Sequence, residues 1–306
     1  MGCNTRHCCL ALKLLQPFVI SCPLEAVSRD NPTGDWSEEV RKLNNVRDTA
    51  LKAAHAAGAI QREGYGNVVS LDYKSAFNIV TDVDAASEKE VIRIIKESFP
   101  DHEILGEESG VHATGSSSRW IIDPLDGTTN YAHSYPFFCV SIGYEENGEM
   151  QLGVVFNPMS NELFFAEKGK GAFLNGMPIK VSNVGSLSAC LLATGFPPDT
   201  ANAHYSNLAE FARLTDICHG VRRDGSAALD LCFVACGRLD GFWEFKLAPW
   251  DLAAGTLIVR EAGGSVSSLT GGKFDMNTGH VLACNSLVGD EIVAALAHQE
   301  AALSGL

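Results

Sequence analysis

The chain has 306 residues, 46% hydrophobic and 20% charged, with 23 Lys and Arg against 37 Asp and Glu for a formal charge of −14. This length and apolar content can bury a substantial core, which excludes a disulfide-stapled miniature or a disordered linker. An acidic chain of isoelectric point near 5.0 lacks the cationic face that grips nucleic-acid phosphates through counterion release, so nucleic acid is not expected as a substrate. A small phosphorylated ligand would need local neutralisation, for which a bound metal is the natural source.

Ten cysteines are present, four of them (Cys3, Cys8, Cys9, Cys22) within the first 22 residues and the rest in apolar segments. Reduced thiols are expected. Cys232 and Cys236 lie one helical turn apart in ALDLCFVACG and read as core packing, with no second pair or His set to make zinc ligands.

Residues 1–35 read as an N-terminal extension, disordered or mis-started. Pro17 and Gln16 break the apolar run, Pro23 follows the lipobox-like VISC, and Arg6 stands where myristoylation needs Ser or Thr. No run approaches the ~18 apolar residues of a membrane span. A cytoplasmic location is expected, with organelle targeting or a lipid anchor through residues 1–35 as the alternative.

A helix is predicted from an N-cap at Asp35, with Glu38 in the capping-box position and a stripe of Val40, Leu43, Val46 and Leu51 continuing to Ile60. A second spans about 85–98, its stripe formed by Val91, Ile94 and Ile95. Short strands follow at 120–123, 138–146, 152–156 and 163–169, and Asn175-Gly176 marks a tight hairpin. Helices are predicted near 204–214, 226–236 and 251–263, with strands at GFWEF and VLACN. Strands and helices interleave without a regular βαβ beat, so an α/β or α+β layered sandwich is expected rather than a barrel.

Three acidic elements each follow an apolar strand. In WIIDPLDGTTN, Asp123 and Asp126 stand three apart across a Pro-containing turn, where both can face one ion, and Gly127, Thr128 and Thr129 open a helix whose free N–H groups point at an anion. Glu107 and Glu108 end HEILGEES, and Asp251 begins a helix seven residues after Glu244. Periodicity alone does not bring the three together. EKGKGAFLNG (167–176) lacks phosphate-loop spacing and reads as a hairpin; Ser226 lacks a nucleophile elbow; His133, His219 and His280 lack metal spacing. Arg222 and Arg223 fit a phosphate clamp or a subunit contact equally.

NIVTDVD (78–84), GEES (106–109), IDPLDGTTNY (122–131), GVRRDGSAALDLCFVACGRLDGFWE (220–244) and PWDLAAGTLIVREAGG (249–264) together resemble the inositol monophosphatase family, at matching intervals over residues 40–295. The resemblance implies an αβαβα sandwich of the sugar-phosphatase type. The domain would span 36–306, with a metal-binding half to about 182 and a substrate half from 183. It further implies two or three Mg²⁺ ions: one held by Glu107, Asp123 and the Leu125 carbonyl, a second by Asp123, Asp126 and Asp251. A third would be reached through water by Asp84, which Thr81 supports, with Lys74, in the loop before it, near the entrance. Gly127 and Thr128 would bind phosphate through backbone N–H groups, while Glu107 and the Thr128 hydroxyl orient the attacking water. Gly225, Ser226, Ala227 and Glu244, with Asp126 and Asp251, would touch the substrate.

Oxygen-only ligands favour Mg²⁺ over zinc. The implied reaction is hydrolysis of myo-inositol monophosphate by metal-activated water, with no phospho-enzyme. Histidinol phosphate, fructose 1,6-bisphosphate and a 3′-phosphonucleotide are alternative substrates. Lithium sensitivity and a homodimer are further implications. Bacterial relatives tied to transcription add the alternative of a non-catalytic interaction role.

Overall fold

Helix α1 (Glu38–Gly64) presents Val46, Ala50, Ala53, Ala54 and Ala57 at intervals of three and four, all fully buried. Leu43 and Leu51, expected on that face, are half-buried: small side chains, not the leucines, make the close contact. The computed structural model describes residues 38–67, 71–75, 78–197 and 206–303, without the side chains of 38–41, 71–79 and 298–303. The expectations for residues 1–35, including the Asp35 cap, lie outside the described residues, as do the Glu38 and Val40 side chains.

A hairpin of β1 (Leu71–Ser75) and β2 (Asn78–Thr81) leads into α2 (Asp82–Ser98). The helix starts three residues earlier than expected because Thr81 caps it, its hydroxyl accepting from Val83 N while the Asp84 carboxylate accepts from Thr81 N. Val91, Ile94 and Ile95 form its buried stripe, as the spacing predicts.

The larger sheet contains β3 (Glu103–Gly106), β4 (Gly110–His112), β5 (Ser118–Asp126), β6 (Cys139–Glu146), β7 (Glu149–Asn157), β8 (Glu162–Glu167), β9 (Ala172–Leu174) and β10 (Met177–Pro178). Its order is β10-β9-β8-β7-β6-β5-β3-β4, antiparallel except for the parallel β3–β5 pair. Strand β5 does not stop at Asp123 as expected; it continues through Pro124 to Asp126, with the register against β6 shifting between the two aspartates. Proline has no N–H to give the ladder, so the irregularity falls where it is. Asn175 and Gly176 turn the β9–β10 hairpin with φ of 48° and 78°, the paired positive values a two-residue hairpin demands. The segment 167–176 is therefore a turn and hairpin, its Gly169 and Gly171 N–H groups bound by the Glu261 carboxylate.

The smaller sheet runs β12-β11-β13-β15-β14, comprising β11 (Leu191–Thr194), β12 (Gly220–Arg222), β13 (Gly241–Glu244), β14 (Ser265–Ser267) and β15 (Val281–Cys284). Its strands alternate between two cores. Ala193, Phe242, Val281 and Ala283 face α5 (Ala227–Ala235) and α6 (Pro249–Glu261), whereas Leu192, Trp243, Leu282 and Cys284 face the outer helices. Those outer helices are α4 (Leu208–Ile217) and α7 (Gly289–Leu303). Helix α4 lies a few residues downstream of its expected span because Asn207 precedes it.

The layers are thus α1 and α2, the eight-stranded sheet, α5 and α6, the five-stranded sheet, and α4 and α7, a five-layer α/β sandwich. Helices α5 and α6 touch both sheets, which accounts for apolar character on every side of them. Close approach of α6 depends on missing side chains. A Cβ on Gly153 would fall 2.7 Å from the Ala254 carbonyl, and one on Gly143 would fall 2.9 Å from the Ala253 Cβ. All six described cysteines are free thiols, Cys232 fully buried and Cys236 half-buried against the same core. Among the described residues, no helix is long and apolar enough to cross a membrane.

Candidate active site

Parallel pairing of β3 with β5 sets Gly106 opposite Ile122, and the Glu107 N–H continues that ladder to the Ile122 carbonyl at 3.1 Å. The register places Glu107 beside Asp123, just past the C-terminal end of β3. Asp123, 1% exposed, accepts from Leu125 N at 2.9 Å through Oδ1, which folds the chain over at Pro124. Gln61 of α1 holds that bulge from behind, its amide donating to the Pro124 carbonyl at 2.7 Å. Gly127 then takes φ +99°, and a Cβ there would lie 3.0 Å from the Phe137 carbonyl and 3.3 Å from the Gly225 carbonyl. Only glycine fits this junction. Beyond it Thr128 starts the short helix α3 (Thr128–Ala132).

The middle-layer helices supply the remaining side. Ser226 caps α5 and donates to Asp126 Oδ2 at 2.7 Å, and Ala228 N donates to the same oxygen at 2.7 Å. Asp251 sits in the first turn of α6, its Oδ2 accepting from Ala248 N at 2.7 Å, while Ser141, opposite Asp123 on β6, donates to the Trp250 carbonyl. Oxygens of Asp123, Asp126 and Asp251 therefore lie within 4.8 Å of one another, and among the described residues this is the one such cluster of metal-ligating side chains.

Burial and mutual repulsion set the electrostatics. Desolvation first, then the charges of Glu107, Asp126 and Asp251, push Asp123 well above the ordinary carboxylate range. Asp126 is raised by burial against the pull of Ser226 and the α5 backbone. Asp251 is pushed up to about 8 by burial and by Asp126. Glu244, at the end of β13, is raised to about 8 by burial and by Asp251, with Arg223 opposing.

A hard divalent cation fits this set. Every donor is oxygen, no described cation pairs with the three aspartates, and each spends one carboxylate oxygen on a chain donor that fixes its orientation.

Asp84 lies outside the three-aspartate cluster and is joined to the site through Thr128. The Thr128 hydroxyl lies 2.9 Å from Asp84 Oδ1 and 3.0 Å from the Leu125 carbonyl, two acceptors that share its single proton. Burial raises Asp84 to about 6 against the hydrogen bonds of Thr81 and Thr128. Lys74 falls on β1 and not in a loop; its side chain is outside the described residues.

A pocket of about 120 Å³ opens beside the cluster, its walls including Asp126, Asp251, Glu244, Gly225, Ser226 and Ala227. Gly195 lets Glu244 fold against it, since a Cβ there would fall 2.2 Å from Oε1. The Ser226 hydroxyl is committed to Asp126. Arg223 lines the pocket as well, while Arg222 is exposed on β12. His133 and His219 are exposed, and His280 packs on Phe245; none joins the acidic cluster.

Three features went unread in the sequence: Gln61 behind the bulge, Glu88, whose buried carboxylate accepts from Glu108 N and Ser109 N, and Asp230 in the pocket wall. For Asp230 the signal was a lone carboxylate inside the apolar run ALDLCFVA.

Five layers with an acidic cluster where the middle helices meet the larger sheet define the sugar-phosphatase class of α/β proteins. The chain belongs to the inositol monophosphatase family, whose match spans residues 42–302. It is 48% identical over 257 residues to an inositol-1-monophosphatase of Synechocystis, covering 83% of this chain and 90% of that one. It is also 44% identical over 255 residues to the Nus factor SuhB of Escherichia coli K12, covering 82% and 96%. Its fold matches the structure of inositol monophosphatase from Anabaena with a TM-score of 0.76 at 46% identity, over 83% of this chain and 96% of that one.

Proposed function

We propose that this protein is a Mg²⁺-dependent phosphatase of small polyol monophosphates, with myo-inositol 1-phosphate as its first substrate. The observation that carries the reading is the convergence of Asp123, Asp126 and Asp251 within 4.8 Å, with Asp123 and Asp126 buried and Asp251 half-buried.

Glu107, Asp123, Asp126, Asp251 and the Leu125 carbonyl would hold two ions, with Asp84 reaching a third through water. When bound, the cations supply Lewis acidity toward the phosphoryl group and the water that attacks it. The chain does the rest by position. Gly127 and Thr128 offer backbone N–H groups to the phosphate at the start of α3. Asp84 sets the Thr128 hydroxyl, which with Glu107 directs the proton of the attacking water. Glu244 and the 225–227 segment face the alcohol portion, where a carboxylate accepts hydrogen bonds from ring hydroxyls. Protein dipoles arranged before substrate arrives stabilise the transition state without reorganising. A homodimer, a cytoplasmic location, lithium sensitivity and the absence of nucleic-acid substrates belong to the same reading.

The SuhB name of several relatives favours a second reading, a non-catalytic interaction role. Phosphate release from myo-inositol 1-phosphate, histidinol phosphate, fructose 1,6-bisphosphate and 3′-phosphoadenosine 5′-phosphate, with Mg²⁺ and with EDTA, separates the two. Mg²⁺-dependent turnover favouring myo-inositol 1-phosphate is expected. Turnover favouring another member corrects the substrate, and turnover of none refutes the phosphatase reading.

A further inference from the structure

Helix α5 carries a carboxyl group that none of these assignments uses. Asp230 lies one turn beyond the Ser226 cap and is 1% exposed. Its Oδ1 is buried, and no group among the described residues donates a hydrogen bond to it. Burying a carboxyl oxygen without a donor costs stability, and an apolar residue would avoid that cost. The flanking Leu229, Leu231 and Cys232 are apolar and fully buried.

What separates Asp230 from those neighbours is the surface it meets. It lines the same pocket as Asp126, Glu244 and Asp251, together with Arg223 and Thr194. Burial, then the charges of Asp224, Glu244 and Asp126, hold its carboxyl well above the ordinary range, with Arg223 opposing. Beyond the metal-ligating cluster the pocket wall thus presents two carboxyl groups and a guanidinium, the Thr194 hydroxyl being spent on the Trp243 carbonyl and the Asn207 amide. That set can both donate and accept, the chemistry that a polyhydroxylated alcohol satisfies and an apolar leaving group does not.

We propose that Asp230 is a substrate-recognition residue, its unpaired carboxyl group taking a hydroxyl of the polyol that leaves in the phosphatase reaction. The proposal rests on the phosphatase reading and concerns binding of the alcohol, not the chemical step. A purely structural Asp230 would instead favour the α5 N-terminus. Its loss would then disturb Asp126, which α5 holds, and impair every substrate alike.

The test is steady-state phosphate release with Mg²⁺ from myo-inositol 1-phosphate and from p-nitrophenyl phosphate, which has no ring hydroxyls. In Asp230→Leu the KM for myo-inositol 1-phosphate rises ~10-fold or more with kcat within ~2-fold, and kcat/KM for p-nitrophenyl phosphate stays unchanged. Asp230→Asn, which keeps a donor and an acceptor, restores most of the affinity. If the leucine variant does not fold, Asp230→Ala is read in the same way. Equal loss on both substrates, or no change on either, overturns the proposal. A wild-type protein that hydrolyses neither ester refutes the phosphatase reading, and the proposal falls with it.

Discussion

The Thr128 hydroxyl meets Asp84 Oδ1 at 2.9 Å across 44 residues of chain, tying the first turn of α2 to the start of α3. Asp84 also caps its own helix through Thr81, so one carboxylate both fixes α2 and aims the threonine. Thr128→Ala should lower kcat by ~10²-fold, the usual scale for a positioned proton-transfer group. Thr128→Ser should retain most activity, because only the hydroxyl is needed. Steady-state kinetics on both variants check this; an active alanine variant would remove Thr128 from the reaction.

Asp123 faces Glu107, Asp126 and Asp251 at once, and burial, then their charges, raise its pKa. Asp123→Asn should therefore reduce Mg²⁺-dependent turnover by ~10³-fold or more, the scale of lost cation stabilisation. The same change relieves repulsion, so the metal-free variant should melt above the metal-free wild type. Turnover and melting curves in EDTA read the two effects separately.

Glu88 accepts from the N–H groups of Glu108 at 2.9 Å and Ser109 at 2.8 Å, and Gly106 leaves it room, since a Cβ there would lie 2.5 Å from Glu88 Oε2. The contact holds the loop that presents Glu107. Glu88→Ala should cost ~1–3 kcal/mol of stability through two unpaired N–H groups and raise the Mg²⁺ concentration needed for half-maximal activity, with Glu88→Gln intermediate. An unchanged Mg²⁺ requirement in a destabilised protein would reduce Glu88 to a purely structural part.

Removing metal exposes a pH dependence. Asp251 and Glu244 are raised to about 8 in the folded protein, above the ~4 they have unfolded. Between those values the native state holds protons that the unfolded state has released, so stability falls as pH rises. In EDTA the melting temperature should drop from pH 5 to pH 8. Mg²⁺ should restore more at pH 8 than at pH 5, because it binds the ionised forms. A rescue independent of pH would contradict the charge account.

Much of this was legible in the sequence because local chemistry sets it. IDPLDGTT carries two aspartates, a glycine at positive φ and a helix start within eight residues, and Asn175-Gly176 specifies its own turn. The α1 stripe misled because burial followed the alanines, which allow close packing, and not the leucines. The end of β5 was missed because a ladder irregularity depends on β6, 13 residues away, which local pattern does not contain. Convergence of Glu107, Asp123 and Asp251 comes from a parallel register and from α6 packing on Gly143 and Gly153, both tertiary facts. Asp230 stands alone in an apolar helix and Glu88 among the charges of SEKEV, and only the fold turns one toward a pocket and the other toward a loop.

On the proposed reading, Asp123, Asp126 and Asp251 jointly hold divalent cations. Anomalous diffraction from crystals soaked in Mn²⁺, a scattering substitute for Mg²⁺, tests it most directly. Strong anomalous density bounded by these three carboxylates and Glu107 is expected, lost in Asp123→Asn. Density elsewhere on the chain with none at this cluster would contradict it.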